Sequence, residues 1–349
     1  KVKDNHTFTT DSAGNKLPKY EDGKLVSYTV KEVAMPNYNN GKPATATGSQ
    51  ENGFQFTNLN TTKDVSVTVT KKWVGKVGDK IILTLSSDQL VDGKKVEITK
   101  EVTGTGKEWK YTFTGLRKYD DEGREMVYTV KEADLENYET SVDNTGLVFT
   151  NTYSNKTTTE VTVSKIWKGN VGSKAKIQLF ANGKEEIELV INGQFQAPQK
   201  QIVELKDGNW KHTFQNLRKE DQNGDAIQYT VRELEVDSNY TMAAPVEIAA
   251  NNFTITNTNH EKVKVVVKKT WRGEKQDTVF ELLKNGGPTG KEMPLAKGQS
   301  QVEFTNLDKY EDKEVTAAAK PIVYTVREKG QTGQTVTLGG IEYKVEISD

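Results

Sequence analysis

The amino-acid sequence predicts an all-β protein, built as a tandem array of β-sandwich domains. Three observations carry that reading. The phrase Tyr-Thr-Val-(Lys/Arg)-Glu occurs four times, at residues 28–32, 128–132, 229–233 and 324–328. A spacing of about one hundred residues is too long for a solenoid repeat and is the size of one small domain. Valine-rich runs alternate apolar and polar residues at period two, as strands with one buried face do. Asx-Gly dipeptides recur behind them, and they favour tight hairpins because both central residues of a type I′ turn take positive φ.

Each unit opens on one of the valine-rich runs. These are Val65-Ser66-Val67-Thr68-Val69-Thr70-Lys71-Lys72-Trp73, Val161-Thr162-Val163-Ser164-Lys165-Ile166-Trp167 and Val263-Lys264-Val265-Val266-Val267-Lys268-Lys269-Thr270-Trp271. A short strand follows at 81–85, 177–180 and 279–283, then Asp92-Gly93, Asn182-Gly183 and Asn285-Gly286. Trp109-Lys110-Tyr111-Thr112-Phe113 and Trp210-Lys211-His212-Thr213-Phe214 are the next alternating strands, and the last unit has Ser300 in place of this tryptophan. Polar turns at 120–123 and 221–224 lead into the Tyr-Thr-Val strand. The units close on Phe56-Thr57-Asn58, Phe149-Thr150-Asn151-Thr152 and Ile255-Thr256-Asn257-Thr258. Six or seven short strands per unit fit a sandwich.

On these boundaries residues 1–60 are the closing part of one repeat, 61–153 and 154–259 are complete repeats, and 260–349 are the opening part of a fourth. The chain therefore reads as a window on a longer protein. The linkers at 59–64, 152–160 and 258–262 are short, polar and free of Gly/Ser runs, which predicts limited flexibility between units. The third repeat is longer than the second between Gly183 and Trp210, and the extra residues around 191–196 are expected to extend a hairpin.

Strand parity selects the candidate functional residues. Residues i, i+2 and i+4 share a face, so Lys71, Lys165 and Lys269 lie on the valine-tryptophan face of their strands. The same test turns Glu132 inward with Tyr128 and Val130, Asn151 with Phe149, and Asn257 with Phe253 and Ile255. Each complete repeat thus aims a Lys, a Glu and an Asn at one interior. An unpaired buried ammonium is costly and must be neutralised, paired or consumed. Burial lowers a lysine pKa, and a neutral amine is a nucleophile. It can attack the Asn carboxamide while the Glu relays the proton, releasing ammonia and joining the first strand to the last. The competing outcome is an unreacted buried Lys–Glu pair hydrogen-bonded to Asn.

The three phrases, Val-Thr-Lys-x-Trp, Tyr-Thr-Val-Lys-Glu and Phe-Thr-Asn-Thr-Tyr, closely resemble those of the collagen-adhesin B-type (Cna B-type) domains of Gram-positive surface proteins. The resemblance spans essentially the whole chain. It implies transthyretin-like, reversed immunoglobulin-like β-sandwiches and, in many members, an autocatalytic Lys–Asn isopeptide bond assisted by Glu. By motif position that implies Lys71, Glu132 and Asn151 in one repeat and Lys165, Glu233 and Asn257 in the next. The last repeat supplies Lys269 and Glu328, with its Asn expected beyond the window. The first supplies Glu32 and Asn58, with its Lys expected upstream.

Other functional classes fit poorly. Lys+Arg (48) nearly balances Asp+Glu (49), which argues against a nucleic-acid or anionic-membrane surface. No apolar run approaches the roughly 20 residues of a membrane span. With no cysteine there is no disulfide framework or thiolate metal site. His6, His212 and His260 are scattered, so neither a metal nor a cofactor is expected. The acidic turns (Asp120, Asp121, Glu122; Asp221, Asn223, Asp225) miss calcium-loop spacing and read as solvated hairpin turns. The tryptophans read as core. The resemblance then implies a cell-wall-anchored, extracellular adhesin stalk that turns over no substrate. In that reading a host extracellular-matrix ligand is bound elsewhere in the parent protein, and the neighbouring repeats are the immediate partners. Alternatives are a pilus-shaft subunit or an accessory binding module of a secreted protein.

Overall fold

The structure is a computed structural model that describes residues 7–348. Among the described residues there is no α-helix, only one 3-10 turn at Asn39–Gly41. None of the described residues forms a helix long and apolar enough to cross a membrane. The chain divides into two compact units, Lys1–Ser154 and Asn155–Asp349. The fold is that of tandem β-sandwiches, as expected from the strand pattern.

Among the described residues of the first repeat only short pairings form: β1 (Tyr20–Glu21) with β2 (Lys24–Leu25), and β3 (Thr47–Ser49) with β4 (Gly53–Gln55). Residues 28–32, expected as a strand, are not one. Among the described residues no neighbouring strand stands beside them, and a strand exists only through its partners.

The second repeat is a complete sandwich of seven strands: β5 (Val65–Val74), β6 (Ile81–Val91), β7 (Lys94–Val102), β8 (Glu108–Leu116), β9 (Thr129–Glu132), β10 (Tyr138–Val142) and β11 (Val148–Tyr153). One sheet runs β10-β11-β5-β8 and the other β7-β6-β9. The first and last strands, β5 and β11, lie side by side and parallel. Alternation along β5 follows the predicted parity, with Val69, Lys71 and Trp73 buried and Ser66, Thr68 and Lys72 exposed. The core between the sheets includes Leu83, Leu85, Phe113 and Phe149. Side chains of this size each contribute about 1.5–3 kcal/mol on full burial. The Asp92-Gly93 turn joins Val91 to Lys94 with φ of 53° and 75°, the geometry a type I′ hairpin needs.

The third repeat repeats this plan with β12 (Thr158–Lys168), β13 (Lys174–Ala181), β14 (Glu186–Ile187), β15 (Val190–Ile191), β16 (Gln194–Phe195), β17 (Gln199–Lys206), β18 (Lys211–Arg218), β19 (Tyr229–Glu235), β20 (Tyr240–Met242), β21 (Val246–Ala249) and β22 (Asn252–Asn259). Its sheets are β18-β12-β22-β20 and β14-β17-β13-β19, with β21 also on β22. The extra residues do not simply lengthen the β13–β17 hairpin. They form a separate hairpin, β15 on β16, closed by Asn192 and Gly193 at positive φ. Ile187, Leu189 and Val190 are buried, and Ile187 and Leu189 belong to the main core of the repeat, so the excursion is anchored to the sandwich.

The fourth repeat contains β23 (Lys262–Lys268), β24 (Thr278–Lys284), β25 (Gly287–Leu295), β26 (Gln301–Asp308), β27 (Glu314–Val315), β28 (Tyr324–Glu328), β29 (Thr335–Leu338) and β30 (Ile341–Lys344). β23 pairs β26, and β24 is flanked by β25 and β28. A register shift recurs just inside the opening strand of the second, third and fourth repeats. It coincides with Gly115, Asn216 and Asn306, all at positive φ, so one bulge is copied along the chain.

The linkers are also built alike. Asn60 accepts from the Thr62 amide, Asn155 from the Thr157 amide and Asn259 from the Glu261 amide, an Asx turn at every junction. Within the first unit the Thr61 amide donates to Asn37 O and the Lys118 amide to Thr62 O. Within the second, the His260 amide donates to Asn239 O and the Lys309 amide to Glu261 O.

Candidate functional site

In the second repeat three elements bring Lys71, Glu132 and Asn151 together. β5 and β11 are neighbours in register Lys71↔Phe149 and Trp73↔Asn151, so Lys71 and Asn151 sit two positions apart on adjacent parallel strands. Glu132 reaches them from the facing sheet, where it lies opposite Leu83. Lys71 Nζ is 2.9 Å from both Glu132 carboxylate oxygens, and Asn151 Nδ2 donates to Glu132 Oε1 at 2.6 Å. The side chains of Lys71 and Glu132 are 2% and 1% exposed. Burial holds the Lys71 pKa below its usual value, against the opposing pull of Glu132.

The third repeat has the same trio, more loosely spaced. Lys165 Nζ is 3.4 Å from Glu233 Oε2, and Asn257 Nδ2 donates to Glu233 Oε1 at 3.1 Å. Burial pushes Lys165 down to about 8 and pushes Glu233 up. Both shifts favour the uncharged form of the pair, an amine beside a carboxylic acid. In both repeats the Asn Oδ1 is buried with no hydrogen-bond partner. Such orphaned acceptors are rare and cost about 1–3 kcal/mol.

In the fourth repeat Lys269 Nζ is 2.7 Å from Glu328. Thr278 Oγ1 donates to Glu328 Oε1 at 3.0 Å, the oxygen that Asn occupies in the sister repeats. Lys269 is 15% exposed, more than its counterparts. In the first repeat Asn58 Nδ2 donates to Glu32 Oε1 at 2.5 Å, and Glu32 Oε2 accepts from the Ala44 amide.

Several supporting residues were not singled out from the sequence. The tryptophan two positions after each lysine lies against its ammonium, with Nζ-to-ring distances of 4.8, 4.3 and 4.7 Å for Trp73, Trp167 and Trp271. These rings exclude water on one side of the amine. Each is met edge-on by a tyrosine: Tyr138, Tyr240 and Tyr343. The shared-face spacing of Lys and Trp was the signal that could have found this. The tyrosine that begins each Tyr-Thr-Val phrase has its own task. Tyr128, Tyr229 and Tyr324 donate to the backbone carbonyls of Arg117, Arg218 and Asp308 and so pin the Glu-bearing strand.

The acidic turn needs a correction. Asp120 is buried rather than solvated, because it accepts from the Arg124 and Glu122 amides and from the Arg124 and Gln89 side chains. Burial alone would raise its pKa, but these hydrogen bonds prevail and hold it at about 2. It is a turn-locking residue. Among the described residues no cluster of three or more His, Asp or Glu side chains is placed to hold a metal. His212 packs edge-on against Phe214 and His260 contacts Thr241, whereas His6 lies outside the described residues.

The Cna protein B-type domain family matches residues 2–59, 67–152, 161–258 and 265–346. The collagen adhesin of Staphylococcus aureus is 29% identical over 343 residues, covering 89% of this chain and 25% of that protein. The chain thus spans a quarter of that relative's length. A crystal structure of two B repeat units of the Staphylococcus aureus collagen binding protein is 27% identical, covering 78% of this chain and 70% of that one, with a TM-score of 0.31. A single B repeat unit of the same protein is 29% identical, covering 56% of this chain and 98% of that one, with a TM-score of 0.23. With family matches over four successive stretches that together span most of the sequence, the chain belongs to the Cna protein B-type domain family.

Proposed function

We propose that these repeats are the structural stalk of a surface adhesin, and that the second and third are stiffened by covalent Lys71–Asn151 and Lys165–Asn257 bonds. The observation that supports this most is the meeting of Lys71, Glu132 and Asn151 at 2.9 and 2.6 Å inside a sealed core. Lys71 Nζ, deprotonated by Glu132, attacks Asn151 Cγ. The new N–C bond forms, the C–Nδ2 bond breaks, and Nδ2 leaves as ammonia. Glu132 Oε1 already contacts Nδ2, so the proton taken from the amine is delivered to the leaving group without passing through water. Glu233 relays the proton in the same way between Lys165 and Asn257. The reaction turns over once per repeat and leaves the carboxyl unchanged, so the domain is a structural element and not an enzyme.

In this reading the chain lies outside the cell on a Gram-positive surface, anchored to the wall through the rest of its protein. Its balanced charge and core-bound tryptophans make it a spacer, and a matrix ligand is held by another region. Mass spectrometry of the denatured chain tests the chemistry. Loss of two molecules of ammonia is expected from the second and third repeats, and an unmodified mass would refute it.

A further inference from the structure

The third and fourth repeats differ from the second in the lengths of two loops, and the differences match. Leu116 to Tyr128 and Leu217 to Tyr229 are each twelve residues, whereas Leu307 to Tyr324 is seventeen. The fourth repeat therefore carries five extra residues before its Tyr-Thr-Val strand. Val102 to Trp109 is seven residues, but Leu205 to Trp210 is five. Val102 and Leu205 are equivalent, because they pair with Ile81 and Ala175, each two residues before the one opposite the site glutamate.

The shorter loop opens a gap. In the second repeat β8 and the residue before it stay beside β5 as far as Trp73, whose amide donates to Lys107 O at 2.9 Å. In the third, β18 pairs β12 only as far as Ser164, and the last bond there is from the Lys165 amide to Trp210 O. Trp167 and Lys168 still pair β22 on one side, but β18 no longer reaches them on the other. The extra residues of the fourth repeat fill that place. β27 pairs antiparallel to β12, Trp167 opposite Val315 and Lys168 opposite Glu314. The Gly169 amide donates to Lys313 O at 2.9 Å, and the Ala319 amide donates to Asn170 Oδ1 at 2.9 Å. Val315 packs against the core of the third repeat.

We propose that residues 311–320 are a docking arm, and that the edge of β12 left open by β18 at Trp167 and Lys168 is its receptor, so that strand addition couples the third repeat to the fourth. An exposed strand edge is a template for another strand, and backbone hydrogen bonds supply the affinity while one seated side chain sets the register. Here the donor is tethered within reach by a short junction, which raises its effective concentration. Val315 is the register residue, and the five-residue gain of the fourth repeat supplies the strand that the shortened loop of the third leaves out; the fourth repeat has the same five-residue spacing, from Leu295 to Ser300.

Deleting residues 315–319 from the full chain restores the spacing found in the sister repeats. Hydrogen exchange at the Gly169 amide should then quicken at least about tenfold, the scale of one lost net hydrogen bond, while amides of β24 keep their protection. Unchanged exchange at Gly169 would overturn the proposal. If the deletion also unfolds the fourth repeat, a Lys168→Cys/Glu314→Cys chain decides the matter. Residues opposite one another in an antiparallel pair are near disulfide distance, and the chain has no other cysteine. Mild oxidation should give an intramolecular disulfide, and free thiols in the oxidised monomer would refute the pairing.

Discussion

Replacing Asn151 with alanine separates the covalent contribution of the site from its ionic one. The change removes the electrophile but leaves the Lys71–Glu132 contact at 2.9 Å in place. Lys71 and Asn151 are eighty residues apart. If they are joined, the cross-link constrains the unfolded chain as a disulfide of that loop length would, by about 4.5 kcal/mol. For a domain of this size, each kcal/mol moves the midpoint by about 4–8 °C, so the calorimetric transition of the second repeat should fall by roughly 20–35 °C. The truncated side chain itself accounts for only a small part of such a shift. The assay is scanning calorimetry of the Asn151→Ala chain beside its parent, with the denatured mass of both. The variant should retain one cross-link, in the third repeat. A midpoint drop of only a few degrees, with the parent's bond confirmed by mass, would show that loop-closure entropy is not what the bond contributes.

Glu132→Gln and Glu233→Gln should each abolish the bond of their own repeat and leave the other intact, since each carboxyl contacts only its own Lys and Asn; peptide mapping reads this, and a completed bond in either variant would remove the relay role. In an Asn257→Ala chain Lys165 remains an amine, with its pKa depressed by burial to about 8 from 10.5. Between those values the unfolded chain binds more protons than the folded one, so the third repeat should gain stability as pH rises from about 8 to 10.5 and lose it as pH falls back. Urea titrations across that window check the sign, and a flat or falling profile would contradict the burial argument. Gly172→Ala should destabilise the third repeat by about 1–3 kcal/mol, because a Cβ there would lie 2.3 Å from the Trp167 ring that covers Lys165. Unchanged urea stability would mean that the ring has room to move.

The parts of the fold that depend on short-range periodicity were legible in the sequence. Val69, Lys71 and Trp73 share a buried face because side chains alternate, and Asp92-Gly93 makes a turn because its positive φ values suit those residues. The Lys/Glu/Asn trios were legible for the same reason, given recurrence in register. Features set by partners were not. Residues 28–32 carry the strand phrase yet form no strand, since pairing depends on a neighbour and the phrase cannot supply one. Asp120 looked like a solvated turn residue, and only the folded turn shows four donors converging on it. The arm at 311–320 was hidden because its meaning lies in a loop of another repeat, about a hundred residues upstream.

The junctions between repeats bear on how such a chain can be copied. At the first junction and again at the third, the linker is gripped from upstream by an Asn carbonyl, at Asn37 or Asn239, and from downstream by a Lys amide, at Lys118 or Lys309. Both grips are backbone contacts within standard parts of each repeat, so a newly inserted copy brings its own half of the joint. Unequal recombination could therefore add or delete single repeats without new surface mutations. The third and fourth repeats are the exception. A matched arm and gap make them a two-domain cassette, and a duplication that split it would leave one strand edge bare.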